Sequence, residues 1–73
     1  MARAAVIGES VRTAGFALAG AVVLTAENQD ETRAAWRSLP ADIEVLVLTA
    51  RAAAWLGEAA EPRRDVLVAV MPA

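Results

Sequence analysis

The sequence predicts an α/β fold built on a small four-stranded parallel sheet with helices on both faces. Short apolar runs rich in β-branched residues alternate with segments of helical spacing, which gives the order β-α-β-α-β-α-β. The run IEVLVLT at residues 43–49 is almost continuously apolar, as expected of a strand covered on both faces of a parallel sheet. Such alternation favours right-handed crossovers. The expected architecture is that of receiver and flavodoxin-like domains.

The first strand is predicted at residues 3–7, RAAVI, and it ends where Gly8 begins a turn. Ser10 is predicted to cap the following helix. The apolar face of this helix is expected at Val11, Ala14, Gly15 and Leu18. Gly20 ends the helix, and Gly15 is expected to let it lie close to the strands.

The second strand is predicted at residues 21–26, AVVLTA, and a second helix begins after it. Asn28 is the expected N-cap, and Glu31 is placed to reach back toward the helix start. The helix ends before Pro40. Its inward stripe is predicted to consist of Thr32, Ala35, Trp36 and Leu39.

A third helix is predicted at residues 50–60, with Gly57 as a weak point in its interior, and a fourth strand at residues 65–70. The inward residues of the helix are expected to be Ala52, Trp55 and Leu56. The fourth strand, DVLVAV, carries no charge after Asp65. Either it is an inner strand or another chain covers its edge, and the second case predicts self-association through Asp65 to Val70.

The composition predicts a single domain, residues 1–73, that depends on close packing or on a partner. A chain of 73 residues buries only about 60% of its unfolded surface, so its stability is marginal. Because the chain has neither Cys nor His, it forms no disulfide, and a metal site would have to use carboxylates alone. These limits favour a component of an assembly.

Neither a membrane nor a nucleic acid is an expected partner. The uncharged stretch from Thr13 to Ala26 has fourteen residues and two glycines, whereas a spanning helix needs about 20 apolar residues. The N-terminus lacks the long apolar run of a secretory signal, so a cytoplasmic protein is expected. The net charge is −2, and the longest basic run is Arg63-Arg64.

Gly8, Glu9 and Ser10 lie where a strand turns into a helix, the place at which doubly wound folds bind phosphates. This position suggests a small phosphate- or nucleotide-binding sensor that uses the crevice between the first and third strands. The glycine-rich fingerprint G-x-G-x-x-G is absent, and a P-loop needs the Lys that this chain lacks. Simple capping of the helix by Ser10 is the alternative interpretation.

Catalysis is not expected, and no cofactor is predicted. A phosphorylated receiver needs an acid pair after the first strand, an Asp after the third and a late Lys. This chain offers Glu9, Thr49 and no Lys. Its hydroxyl groups also lack a His or Lys that would act as a base. The sequence therefore predicts a protein that is not an enzyme.

Two tryptophans, Trp36 and Trp55, lie at apolar-stripe positions of consecutive helices. Both fit a core, and one of them also fits an exposed anchor for a partner, because Trp is frequent at binding hot spots. Trp55 is the better anchor, since Arg51 precedes it by four residues and can stack on its ring.

Four segments in order, RAAVIGES, TAGFALAG, IEVLVLTARAA and VLVAVMP, resemble the F subunit of the V-type and A-type rotary ATPases. The most specific part is Thr-x-Gly-Phe-x-Leu-Ala-Gly, which this chain matches with Thr13, Gly15, Phe16, Leu18, Ala19 and Gly20. The family's third strand ends in a Thr that starts a helix and corresponds to Val45 to Thr49. Its last strand leads into a Pro and corresponds to Val66 to Pro72.

The resemblance implies a non-catalytic subunit of the central rotor stalk, cytoplasmic and peripheral to the membrane. Such a subunit binds the coiled-coil D subunit of the ATPase, turns with it, and modulates ATP hydrolysis or synthesis by the catalytic hexamer. The candidate partner-binding residues are Glu9, Ser10, Phe16, Thr49, Arg51 and Trp55. The chain departs from the family in having Glu9 where Asp is commoner, and in stopping at Ala73 where relatives continue into a helical tail. A truncated chain and a relative without the tail are both compatible with this end.

Overall fold

The computed structural model describes residues 3–15, 20–57 and 66–72. The predicted element order is confirmed. The elements are β1 (Arg3–Gly8), α1 (Ser10–Thr13), β2 (Val22–Thr25), α2 (Gln29–Arg37), β3 (Ile43–Leu48), α3 (Ala50–Leu56) and β4 (Leu67–Val70).

The strands form one parallel sheet in the order β2-β1-β3-β4, which agrees with a flavodoxin-like fold. Strands β1 and β3 are therefore central, while β2 and β4 lie at the edges. The interpretation of the fourth strand as an inner strand is wrong, because within the described ranges β4 pairs only with β3. Asp65, the first residue of the predicted strand, lies outside the described residues.

Helices α2 and α3 pack against each other over one face of the sheet. Alternate residues of the central strands, including Ile7, Leu46 and Leu48, join these helices in one hydrophobic core. Val6 faces the other way and is also buried, on the side where a right-handed crossover places α1. Val45 and Val47 of β3 lie on this second face and are partly exposed, so this part of the face is not fully covered.

Helix α1 differs from its predicted form. Its N-cap is Glu9, and Ser10, predicted as the cap, is the first helical residue. Val11 is 87% exposed, whereas Thr13 is fully buried, so the predicted apolar face is wrong for the residues described. Thr13 can face the sheet because its hydroxyl donates to the Glu9 carbonyl at 3.1 Å. Leu18, the last residue of that face, lies outside the described residues.

The predicted close approach of α1 through Gly15 is also wrong. Gly15 is exposed, and a Cβ added there would meet no atom within 4 Å. Gly20 has a φ of +85°, a region that favours glycine. Its predicted role as the end of the helix depends on residues 16–19, which lie outside the described residues.

Helix α2 matches its prediction closely. The Asn28 side chain caps the helix by accepting from the Glu31 amide at 2.8 Å. The Glu31 carboxylate reaches back to accept from the Glu27 amide at 3.0 Å, one residue before the expected position. The predicted inward stripe of Thr32, Ala35, Trp36 and Leu39 is buried or packs against the core.

Helix α3 is shorter than the prediction of residues 50–60. Gly57 is its C-cap, with a φ of +57°, so this glycine ends the helix instead of weakening its interior. Residues 58–60 lie outside the described residues. Ala52 and Leu56 are buried as predicted, while Trp55 is partly exposed.

The N-cap side chain of α2 bonds to the start of its helix, whereas the N-cap of α1, Glu9, makes no such side-chain bond. We expect Asn28→Ala to lower the free energy of unfolding by about 0.5–2 kcal/mol, because the Glu31 amide loses its acceptor. Ser10→Ala is the matched control and should change stability little, since no side-chain cap bond is present at α1. Urea denaturation of both variants measures the difference, and equal losses would contradict the assignment of the two caps.

Candidate functional site

The candidate site is the crevice at the carboxyl ends of the two central strands. Glu9 directly follows β1, and Thr49 directly follows β3. The chain leaves β1 toward β2 on one side, and it leaves β3 toward β4 on the other. In parallel α/β sheets, ligand sites form at such a reversal of strand order. The fold therefore places the predicted residues Glu9 and Thr49 at the position expected for a site.

The Thr49 hydroxyl closes this crevice by donating a hydrogen bond to the Glu9 carboxylate. The same oxygen accepts from the Ala52 amide at 3.2 Å and so caps α3. The Thr49 amide donates to the Ile7 carbonyl at 3.1 Å, which continues the pairing of β3 with β1. Thr49 is only 2% exposed, so it positions its neighbours and offers little surface to a ligand.

Gly8 is required by the close approach of Thr49. A Cβ built on Gly8 would lie 2.1 Å from the Cγ2 atom of Thr49 and 2.9 Å from its Cβ. The Thr49 side chain is short, buried and branched at Cβ, so it has little freedom to move away. The prediction that Gly8 begins a turn is wrong, because Gly8 is the last residue of β1 and pairs with Thr25. Its contact with Thr49 is the reason for glycine.

The Glu9 carboxyl group of the crevice is ionised at neutral pH. The hydrogen bond from Thr49 lowers the pKa of Glu9 from its ordinary value of 4.5, and the nearby cations Arg51 and Arg12 lower it further. Partial burial acts in the opposite direction. An ionised carboxylate at this position repels phosphate, and one of its oxygens already accepts from the Thr49 hydroxyl.

A second carboxylate, Glu27, completes the rim of the crevice. It accepts from the Ser10 amide at 3.1 Å and occupies a donor at the start of α1 that an anion would need. The Ala26 amide donates to the Gly8 carbonyl at 2.9 Å, and this bond brings the end of β2 beside α1. Sequence reasoning missed Glu27, although its position directly after the second predicted strand was a usable signal.

The structure brings together four of the six predicted site residues. Glu9 and Thr49 are bonded, Ser10 follows on the exposed start of α1, and Arg51 is exposed in the first turn of α3. Trp55 lies one turn further along α3, where its carbonyl accepts from the Gln29 side chain at 3.3 Å. Phe16 lies outside the described residues.

A second, shallow depression of about 400 Å³ lies between α2 and the edge strand β2. Within the described ranges, no group of three or more acidic, His or Cys side chains is placed to hold a metal ion. In the same ranges, no helix has the length and apolar character needed to cross a membrane.

The fold and the crevice define a small parallel α/β domain. Side chains of the same chain fill the crevice at the reversal of strand order. The chain belongs to the family described as ATP synthase (F/14-kDa) subunit, whose sequence pattern matches residues 4–72. This match confirms the resemblance to the F subunit of the rotary ATPases and assigns the chain to that type of protein. Among curated proteins, none matches the chain.

The contact between Gly8 and Thr49 predicts a large effect from one added methyl group. Gly8→Ala should lower the free energy of unfolding by about 1–3 kcal/mol, because the new Cβ overlaps a side chain that cannot rotate away. Gly15→Ala is the matched control, since a Cβ at that position meets nothing within 4 Å. Chemical denaturation measures both variants. Similar stability of the two variants would contradict the close approach.

Proposed function

We propose that this chain is a non-catalytic subunit of the central stalk of a V-type or A-type rotary ATPase, and that it binds the coiled-coil D subunit of that complex. In this role it turns with the D subunit and modulates ATP hydrolysis or synthesis by the catalytic hexamer. It acts in the cytoplasm, peripheral to the membrane. The family membership supports the proposal that the chain is a subunit of this complex. The closed crevice supports a role in binding instead of catalysis.

The observation that carries the proposal is the hydrogen bond between Thr49 and Glu9. In a phosphate-binding α/β domain, the amides at this crevice point into open space and receive the anion. Here the amides of Ser10 and Ala52 bond to Glu27 and Thr49 of the same chain. The crevice is thus built to hold its own elements together.

This arrangement disfavours the alternative function, a phosphate or nucleotide sensor. A phosphate entering the crevice would displace a hydrogen-bonded carboxylate whose pKa is already lowered. It would gain the cations Arg51 and Arg12 but would also meet two carboxylates, Glu9 and Glu27. The loss of the internal hydrogen bonds made by Glu9 and Glu27 therefore opposes its binding.

The rim of the crevice offers the surface that we assign to the D subunit. Ser10 and Arg51 are exposed, Glu9 is partly exposed, and all three lie at the carboxyl end of the sheet. Coiled coils carry charged residues on both sides of their apolar seam, and these residues select partners. Arg51 and Glu9 would pair with such charges, while Thr49 holds Glu9 in place.

Trp55 is the proposed apolar anchor beside these charges. It is partly exposed and belongs to the same helix as Arg51, one turn further on. A large ring that is half covered by its own protein retains apolar area for a partner. Phe16 remains a predicted second anchor from the sequence alone.

The test is binding of the 73-residue chain to the purified coiled coil of the D subunit, measured by isothermal titration calorimetry. The chain should bind with a dissociation constant of about 1 μM or lower. Arg51→Glu should weaken binding about tenfold, with a stronger effect at low salt, because a charge on the rim is reversed. No binding at any accessible concentration would contradict the proposed function.

Arg37→Glu is the matched control for this charge reversal. Arg37 is also an exposed arginine of a helix, but it lies in the last turn of α2, which runs from the carboxyl end of the sheet to the amino end. The control should bind the D subunit normally. If binding occurs but Arg51→Glu has no more effect than Arg37→Glu, the coiled coil contacts another surface.

A further inference from the structure

The edge of β4 is an exposed apolar feature of the described residues that the crevice does not explain. Every residue of this strand is exposed, including Leu67 at 69%, Val68 at 43% and Val70 at 55%. On one side β4 pairs with β3, and within residues 3–15, 20–57 and 66–72 no strand lies on its other side. The strand therefore presents both apolar side chains and unpaired backbone groups.

The register of β4 identifies which backbone groups are free. The Met71 amide donates to the Leu48 carbonyl at 2.8 Å, so Met71 faces β3. In a parallel pair, the N–H and C=O of one residue point to the same side, and this side alternates along the strand. Val68 and Val70 therefore direct their N–H and C=O groups outward. The next outward residue, Pro72, has no N–H, so the free ladder ends there.

We propose that a second copy of this chain pairs with this edge in antiparallel orientation, about a two-fold axis at Ala69. In this dimer Val68 of each copy lies opposite Val70 of the other. Each of these pairs exchanges two backbone hydrogen bonds, so the outward donors and acceptors at positions 68 and 70 of each copy are satisfied. The two sheets then join into one.

The edge is complementary to itself, which is the reason for choosing a second copy as the occupant. The two outward residues lie at equal distances on either side of Ala69, so the edge matches its own two-fold image. The residues that meet on the axis are two alanines, and a small side chain suits the closest pair of an antiparallel ladder. No charged residue lies between Val66 and Met71, so the paired segments themselves place no like charges opposite each other.

The side chains also match across the proposed junction. Val68 and Val70 are on the sheet face of α2 and α3, because they lie beside Leu46 and Leu48 of the core. Opposite each other, they form β-branched apolar pairs, which stabilise antiparallel ladders. The contact is small, so the dimer should be weak and concentration-dependent. The dimer would use the side of the sheet formed by β4, whereas the crevice lies at the carboxyl ends of β1 and β3. The proposed dimer therefore does not rest on the proposed binding of the D subunit.

Sedimentation velocity of the 73-residue chain, from micromolar to millimolar concentration, tests the dimer. A reversible monomer–dimer equilibrium is expected. Val70→Lys should weaken it at least about tenfold, because it places a charge at the junction. Val11→Lys is the matched control, since Val11 is an exposed valine of α1, and it should leave the equilibrium unchanged. A monomer at all concentrations, or equal effects of both variants, would overturn the proposal.

A second variant keeps the test independent of any folding defect in Val70→Lys. Val68→Pro removes an outward N–H and leaves the amides that bond to β3 in place, so circular dichroism should report a folded protein. This variant should also lose the dimer. A folded Val68→Pro protein that still dimerises as the wild type does would overturn the proposed pairing.

Disulfide formation tests the register, because the natural chain contains no cysteine. Opposed residues at the centre of the proposed junction have Cα atoms about 4.5 Å apart, within the range of a disulfide. Ala69→Cys should therefore form a covalent dimer rapidly under mild oxidation. Val11→Cys provides the rate for random collision. Equal rates for the two cysteine variants would contradict an axis at Ala69.

Discussion

The side chain of Thr49 makes the contacts on which the arrangement of the sheet end depends. Its hydroxyl caps α3 and binds Glu9, while the Thr49 amide extends the pairing between the central strands. These contacts join the ends of β1 and β3 and the start of α3 at one point. They require a residue without a side chain at position 8, because Thr49 occupies that space. Strand pairing, helix start and crevice therefore form one local unit.

This unit fills the position at which parallel α/β folds often bind phosphate. Where related architectures leave amides open at the switch point, this chain closes them with Glu27 and Thr49. The remaining charges lie on an exposed rim. This member of the ATP synthase (F/14-kDa) family therefore has, at one end of its sheet, a preformed polar surface on rigid elements. Such surfaces favour binding because little has to reorganise.

The sequence predicts the fold well where local signals and burial agree. Helix α2 is the best case, because Asn28, Glu31 and the inward stripe all indicate the same helix. Helix α1 is the least well predicted element. The sequence suggests that the apolar Val11 is buried and the polar Thr13 exposed, but Val11 is exposed, and Thr13 is buried with its hydroxyl bonded to a carbonyl. Glu9 and Thr49 are both candidate site residues from the sequence alone. The bond between them cannot be predicted from the sequence, since it depends on the adjacency of β1 and β3 across 40 residues of chain.

The most direct test of the role of Thr49 is an NMR titration of the Glu9 carboxyl group in the wild type and in Thr49→Val. In the wild type the pKa should lie below its ordinary value of 4.5, so the bond stabilises the fold above that pH and is lost as pH falls through the lowered pKa. In Thr49→Val the pKa of Glu9 should rise. Asp42 is the control: a hydrogen bond from the Arg3 side chain lowers its pKa, and this pKa should be the same in both proteins. The same Glu9 pKa in both proteins would contradict the central role of Thr49.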